Sequence, residues 1–269
     1  MQIYQGFSFT AEAQGGQMEK IKKIVDFLDM LLKIREIKDD SWNGLQFEGK
    51  QEIKKIMCTV DAGMSVFEKA IEEKFDMIIV HHGMYWKNLN PSVTGANKKR
   101  VELLYENGVS LYAAHLPLDM HPEIGNNAML LKIIGAKKSK PFFPYDGQSI
   151  SWCGIFDVQV KLESIVKKIN DVLGINCKLL PYGKNLIKTV AVISGGGGYG
   201  GFNEAIKEGV DLYISGDTLE VFHFAKDSGI NVIFGGHHAT ETLGVKEISK
   251  ILSKKFDVDA QFVDVPTGL

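Results

Sequence analysis

Cysteine is scarce in this 269-residue chain: Cys58, Cys153 and Cys177 are odd in number, widely spaced and set among apolar neighbours. With no Cys-x-x-Cys pair they offer neither a disulfide framework nor a thiolate metal site, and they read as small core residues in a reducing compartment. Long apolar runs are missing too, so no stretch meets the length a bilayer requires. The first residues lack a basic region followed by an apolar run. Charge of one sign is not in excess either: the formal net charge is -2 and lysines are scattered between glutamates. A protein that lives on phosphate contacts shows a basic excess or stripe. Nucleic acid is therefore not indicated, no membrane role is expected, and the expected location is cytoplasmic.

What is present is ordinary in bulk. A hydrophobic share of 45% and a charged share of 24% match soluble globular proteins, and the length suits one large or two small domains. Residues 1–17 carry no basic side chain and no clear periodicity, so they are expected to be a leader or extension outside the fold. From residue 18 the pattern changes: Ile21, Ile24, Val25, Leu28, Leu31 and Leu32 have the spacing of an amphipathic helix. Residues 39–49 break it as a loop that packs as well as bends. Strands are predicted at 53–60, 75–80 and 109–114, with helices at 64–73, 97–106 and 125–134. The nearly continuous apolar run at 75–80 is typical of a strand buried on both faces.

The second half replays the first. Ala70-Ile71-Glu72-Glu73-Lys74-Phe75-Asp76-Met77-Ile78-Ile79-Val80 aligns with Ala205-Ile206-Lys207-Glu208-Gly209-Val210-Asp211-Leu212-Tyr213-Ile214-Ser215. Each is preceded by a strand opening on Ile-Lys, at Ile53-Lys54 and Ile187-Lys188, and followed by a helix, a glycine and a strand ending near histidine. An internal duplication and two related α/β lobes follow. The prolines and glycine of residues 140–147 predict a linker between them. Residues 258–266 read as a last strand after a helix at 243–255; if either returns to the first lobe, the lobes interlock. The expected division is 18–138 with 240–269 for the first lobe and 139–239 for the second.

Four stretches stand where strands run out: Val80-His81-His82-Gly83, His115-Leu116-Pro117-Leu118-Asp119, Ser194 to Gly201, and His237-His238-Ala239-Thr240-Glu241. Parallel sheets gather ligand sites at that edge. Adjacent His81 and His82 point to opposite sides and can serve two different ions, or one ion and a partner that supports its ligand. Pro117 favours a rigid extended turn between His115 and Asp119. There Asp119 offers a hard oxygen, and His115 could bind, orient a ligand or move a proton. His237 and Glu241 share one face at i,i+4, where a glutamate can bridge two cations. Five of the seven histidines, His81, His82, His115, His237 and His238, lie at strand ends near carboxylates. Helix capping by Asn126, Asn127, Thr240 or His238 accounts for part of these patterns, and Asp217 reads as a cap. Nitrogen and carboxylate ligands suit Zn, Fe, Mn, Co or Ni, and two such ions point to hydrolysis. The glycine run reads first as a tight turn, with anion binding as the other possibility; it lacks the Gly-Lys-Ser/Thr ending of a P-loop.

Together, Asn43-Gly44-Leu45-Gln46, His81-His82-Gly83, His115 to Asp119, Gly125-Asn126-Asn127, Ser194 to Gly197, Ser215-Gly216-Asp217 and Gly236 to Glu241 resemble the Nif-three-like family, also called GTP cyclohydrolase I type 2 homologues. The resemblance runs from Met18 to Pro266 in the family's motif order. It implies two interlinked α/β lobes with largely parallel sheets, a dinuclear metal site in the cleft between them, and a homohexameric ring. It further implies His81, His82, Asp119, His237 and Glu241 as ligands of two divalent ions, with Glu241 bridging and His115 beside the metals as a proton carrier. The activity implied is hydrolysis of a nucleotide-like small molecule through metal-bound hydroxide. A metallochaperone or regulatory metal-binding module without turnover is the alternative.

Overall fold

In the computed structural model, which describes residues 18–269, two sheets form the cores of two lobes; the leader or extension expected at 1–17 lies outside the described residues. The first sheet runs Asp259–Phe262, Lys55–Asp61, Met77–His82, Ser110–Ala113 and Gly44–Phe47. Its first four strands are parallel and the last, at the edge, is antiparallel. The second sheet runs Lys137–Tyr145, Gln148–Lys161, Leu186–Ile193, Leu212–Ser215, Asn231–Phe234 and Lys178–Pro181. Only its middle three strands are parallel to one another, with antiparallel partners on both sides. Largely parallel therefore describes the first sheet, while the second is mixed, because a long hairpin and a short edge strand flank its parallel centre.

Burial on both faces explains the continuous apolar runs. Along Met77–His82, Met77 and Ile79 pack with helices Ile21–Leu32 and His237–Phe256, while Ile78 and Val80 pack with helices Met64–Glu72 and Gly95–Asn107. In the second sheet Val190 and Val192 face helices Asn126–Ile134 and Leu162–Leu173, and Ala191 and Ile193 face helices Gly198–Lys207 and Phe222–Ser228. Alternate residues thus serve alternate layers.

The duplication extends to side-chain detail. Asp76 Oδ2 accepts from the amides of Lys54 and Lys55 at 3.0 and 3.1 Å, and its Oδ1 meets Lys50 Nζ at 3.0 Å. Asp211 Oδ2 accepts from the amides of Lys188 and Thr189 at 2.9 and 3.1 Å, and its Oδ1 meets Lys184 Nζ at 3.1 Å. In each lobe the aspartate just before the second core strand ties down the start of the first.

The lobes interlock through the C-terminal segment. Helix His237–Phe256 begins directly after the second sheet, buries Leu243 in that lobe, then buries Val245, Ile248 and Leu252 in the first. Strand Asp259–Phe262 completes the return by pairing in parallel with Lys55–Asp61. Helix Asn126–Ile134, expected with the first lobe, buries Met129, Leu130, Leu131 and Ile134 in the core of the second. Among the described residues no helix is long and apolar enough to cross a membrane.

Two predicted loops are strands instead. Residues 140–147, expected as a linker, belong to strand Lys137–Tyr145 and its turn, with Phe142 buried. Asp146 and Gly147 at φ 47 and 80 make the two-residue turn into Gln148. Prolines at 141 and 144 are tolerated because this strand is the sheet edge. Likewise Gly44–Phe47, inside the expected loop, pairs with Ser110–Ala113.

Replacing Asp211 by alanine strands two strand amides and is expected to lower stability by about 1–3 kcal/mol. The check is urea unfolding, in which the midpoint falls while the slope stays constant.

Candidate metal centre

The C-terminal edges of the two parallel cores meet at one point, and five side chains converge there. Strand Met77–His82 delivers His81 and His82 as its last residues. The segment after Ser110–Ala113 is one helical turn, Leu116–Asp119, rather than the extended turn expected; Pro117 stands in its first turn, where its missing amide costs nothing. That turn carries Asp119 inward. His237 and Glu241 share a face at the start of helix His237–Phe256.

Glu241 sits at the middle with its two oxygens facing different partners. Its Oε1 lies 3.4 Å from His81 Nε2, which is also 3.4 Å from Asp119 Oδ2. Its Oε2 lies 3.2 Å from His82 Nε2 and 3.4 Å from His237 Nε2. Ligand atoms of His81, Asp119 and Glu241 therefore cluster within 4.8 Å of one another, as do those of His82, His237 and Glu241. A third cluster joins His81, His82 and His115, so the spacing alone admits His115 as a ligand.

The donors fit divalent ions. Ligand atoms around a tetrahedral ion with bonds of about 2.1 Å stand about 3.4 Å apart, which matches these separations better than a hydrogen bond does. His81 Nε2 and Glu241 Oε2 are fully enclosed without a hydrogen-bond partner, a costly condition that an ion would relieve.

Each imidazole is aimed by a bond on its far side. His81 Nδ1–H donates to the carbonyl of Ala114 at 2.9 Å, His82 Nδ1–H to Asp61 Oδ1 at 2.7 Å, His115 Nδ1–H to Asp39 Oδ1 at 2.9 Å and His237 Nδ1–H to Asp217 Oδ1 at 2.8 Å. With Nδ1 protonated, Nε2 is free to face the cluster. Asp119 Oδ1 accepts from Asn126 Nδ2 at 2.8 Å and Ser194 Oγ at 2.9 Å, which leaves Oδ2 toward His81.

Asp39, Asp61 and Asp217 were not foreseen in these roles. Asp61 had a signal: it ends the strand beside His82 and is its register partner. Asp217 does not cap a helix, since the next one starts at Phe222 with Val221 as N-cap. Asn126 and Asn127 are not caps either, Gly125 being the N-cap. Asn126 Oδ1 accepts from Gly244 N and Asn127 Oδ1 from Ser194 N, both at 2.7 Å, so they tie the lobes around the cluster. His238 bonds Asp61 Oδ2 at 3.2 Å and Asp264 Oδ1 at 2.8 Å.

The glycine run serves close approach. Gly195, at φ +58, lies under Glu241, and a Cβ there would stand 2.0 Å from Oε1. Its amide donates to Thr240 Oγ1 at 3.0 Å. Gly196, Gly197 and Gly198 line the cavity over the cluster.

Burial on its own would push the His81 imidazole down, yet the carboxylates of Asp119 and Glu241 outweigh it and hold the group well above its ordinary value. Burial likewise would raise Asp119, but the His81 charge, with help from Asn126, brings it to about 2. Asp61 is held below the usual carboxylate range, its burial overcome by bonds from His238 and His82.

The family model described as Duf34/NIF3 (NGG1p interacting factor 3) matches residues 19–267. A curated relative from Archaeoglobus fulgidus, named GTP cyclohydrolase 1 type 2 homolog, is 40% identical, covering 93% of this chain and 99% of the relative. One of the same name from Pyrococcus horikoshii is 43% identical over 92% of this chain and 98% of its own length. Among solved structures, TTHA1606 from Thermus thermophilus superposes with a TM-score of 0.84 at 35% identity, covering 93% of this chain and 100% of that one. Reduced HcgD from Methanocaldococcus jannaschii superposes at 0.80 with 26% identity, covering 93% of this chain and 98% of that one.

Because the proton on His81 and an ion compete for the same nitrogen, zinc affinity is expected to rise with pH through the neutral range and binding to release protons. Below the raised His81 value the proton is held and must be displaced; above it the nitrogen is already free. Calorimetric titration in buffers of different ionisation enthalpy measures this, and pH-independent binding without proton release would contradict it.

Proposed function

From the premise that the chain belongs to the Duf34/NIF3 family, we propose that it is a metal-dependent hydrolase of a small, nucleotide-like substrate, working at a two-ion centre shared through Glu241. The observation that carries this reading is the division of Glu241: Oε1 faces His81 and Oε2 faces His82 and His237. His81 and Asp119 would hold one ion with the first oxygen, and His82 and His237 the other with the second. When bound, such a pair supplies Lewis acidity and a nucleophile from water near neutral pH.

The remaining residues have work of their own. His115 lines the cavity and its Nδ1–H is fixed on Asp39, so Nε2 is the atom that takes up or delivers a proton. Its assignment as a proton carrier rather than a ligand rests on its cluster, which holds imidazoles only, whereas the other two clusters share the bridging carboxylate. Asn126 and Ser194 keep Asp119 pointed inward, and Asp61 and Asp217 keep His82 and His237 in the required tautomer. Trp86 and Leu116 bound the cavity and limit water around the reacting atoms. A homohexameric ring and a cytoplasmic location belong to the same proposal.

A second reading draws on the same ligand set. Since the ligand set keeps its outward bonds without an ion, it also suits a protein that takes up and releases metal without turnover.

The deciding experiment combines metal analysis with a screen of GTP and phosphodiesters. Turnover by the metal-loaded protein is expected to fall about 100-fold or more in Glu241→Ala and His81→Ala, the ion's share of transition-state stabilisation being several kcal/mol. No product from the panel, together with rapid metal transfer to a metal-free client protein, would contradict the hydrolase reading and support the second.

A further inference from the structure

The cavity over the cluster has a volume of about 520 Å³, within the range of small-molecule pockets. Its walls carry rings: Trp86 comes from the first lobe, and Phe143 and Tyr145 come from the edge hairpin of the second. Trp86 is fixed, because its Nε1–H donates to the carbonyl of Gly83 at 3.0 Å and its indole meets the His115 ring edge-on, 4.9 Å between centroids at 70°. Its polar atom is thus satisfied, and the indole lines the cavity.

Phe143 is the more telling residue. Its φ of +54 puts a bulky side chain in left-handed backbone, an outlier for such a residue. The ladder is kept on either side of it, Phe142 pairing with Ser151 and Pro144 with Ser149. Gly200 leaves room for the ring: a Cβ there would come within 3.1 Å of Phe143 Cε2. Strain of this kind survives where the surrounding fold over-determines it, and it gathers at ligand sites.

Charge narrows the ligand further. The lining includes Asp39, Asp40 and Glu241 and, among the described residues, no lysine or arginine. Residues 1–17 contain no lysine, arginine or histidine to add. With the ring's oxygen turned to the ions, a polyphosphate tail would be left along Asp40, whose carboxylate already holds Lys87 Nζ at 3.3 Å. A neutral ring loses nothing by the same surroundings.

We propose that this cavity takes an uncharged planar heteroaromatic ring bearing an oxygen donor, stacked on Trp86 and Phe143, and that these two residues set the preference. The assignment rests on the cavity being the substrate site of the hydrolase reading. It narrows that reading from nucleotide-like molecules in general to those whose ring enters without a polyphosphate.

The test uses the full chain loaded with zinc and saturation-transfer NMR. Guanosine, pterin and nicotinamide serve as neutral ring probes, and GTP and ribose 5-phosphate as charged ones. At least one neutral ring is expected to bind, with GTP no tighter than guanosine. Trp86→Ala and Phe143→Leu are each expected to weaken the bound ring about tenfold or more, and Trp86→Phe to retain most of the affinity, all with zinc content unchanged. GTP binding more than tenfold tighter than guanosine, ring binding indifferent to both substitutions, or no binding by any neutral probe would overturn the assignment. The two proposals fail separately. Trp86-dependent ring binding in a protein that turns nothing over leaves the ring site standing, whereas turnover of a nucleotide whose binding ignores Trp86 leaves only the hydrolase.

Discussion

Burying a carboxylate is among the most expensive things a fold can do unless the charge is met at close range, and Glu241 is 2% exposed. Its surroundings are arranged to meet that charge from both sides. One oxygen faces His81 and the other faces His82 and His237, and the backbone of Gly195 passes so close beneath that no side chain would fit. Nearly every larger feature of the molecule serves this arrangement. Two parallel cores end at the same place, a helix begins there and runs from one lobe into the other, and the last strand closes the first sheet behind it.

A second tier of bonds makes the cluster a defined object rather than a crowd of polar groups. Ala114, Asp61, Asp39 and Asp217 each take the Nδ1 proton of one histidine, so every Nε2 is turned toward the cluster. Asn126 and Asn127 bridge the lobes while Asn126 steadies Asp119. Lobe docking and ligand geometry are consequently one problem: the amides that hold Ser194 and Gly244 in place belong to the same residue pair that fixes the acid.

Much of this was legible before any coordinates. Apolar runs at 75–80 and 109–114 announced strands buried on both faces, and the placement of His81, His82, Asp119 and His237 at or just after strand ends follows from how parallel sheets are built. Glu241 was readable from its i,i+4 relation to His237. The aiming residues were harder to see because their meaning lies across the fold: Asp39 meets His115 from 76 positions away, and Asp217 meets His237 from 20. Each sits in a segment that local rules explain adequately as a turn or a cap. The hairpin at 146–147 was hidden for a related reason, since prolines and a glycine mark a linker and a sheet edge alike. Phe143 gave no warning at all, because backbone strain leaves no trace in composition.

The account stands on one carboxylate serving two cations. Anomalous diffraction from crystals of the zinc-loaded protein, recorded at the metal's absorption edge, addresses it directly. Two peaks about 3.5–4 Å apart, one between Glu241 and His81 with Asp119 and the other between Glu241 and His82 with His237, are the predicted result. A single peak, or peaks that leave Glu241 unliganded, would contradict it.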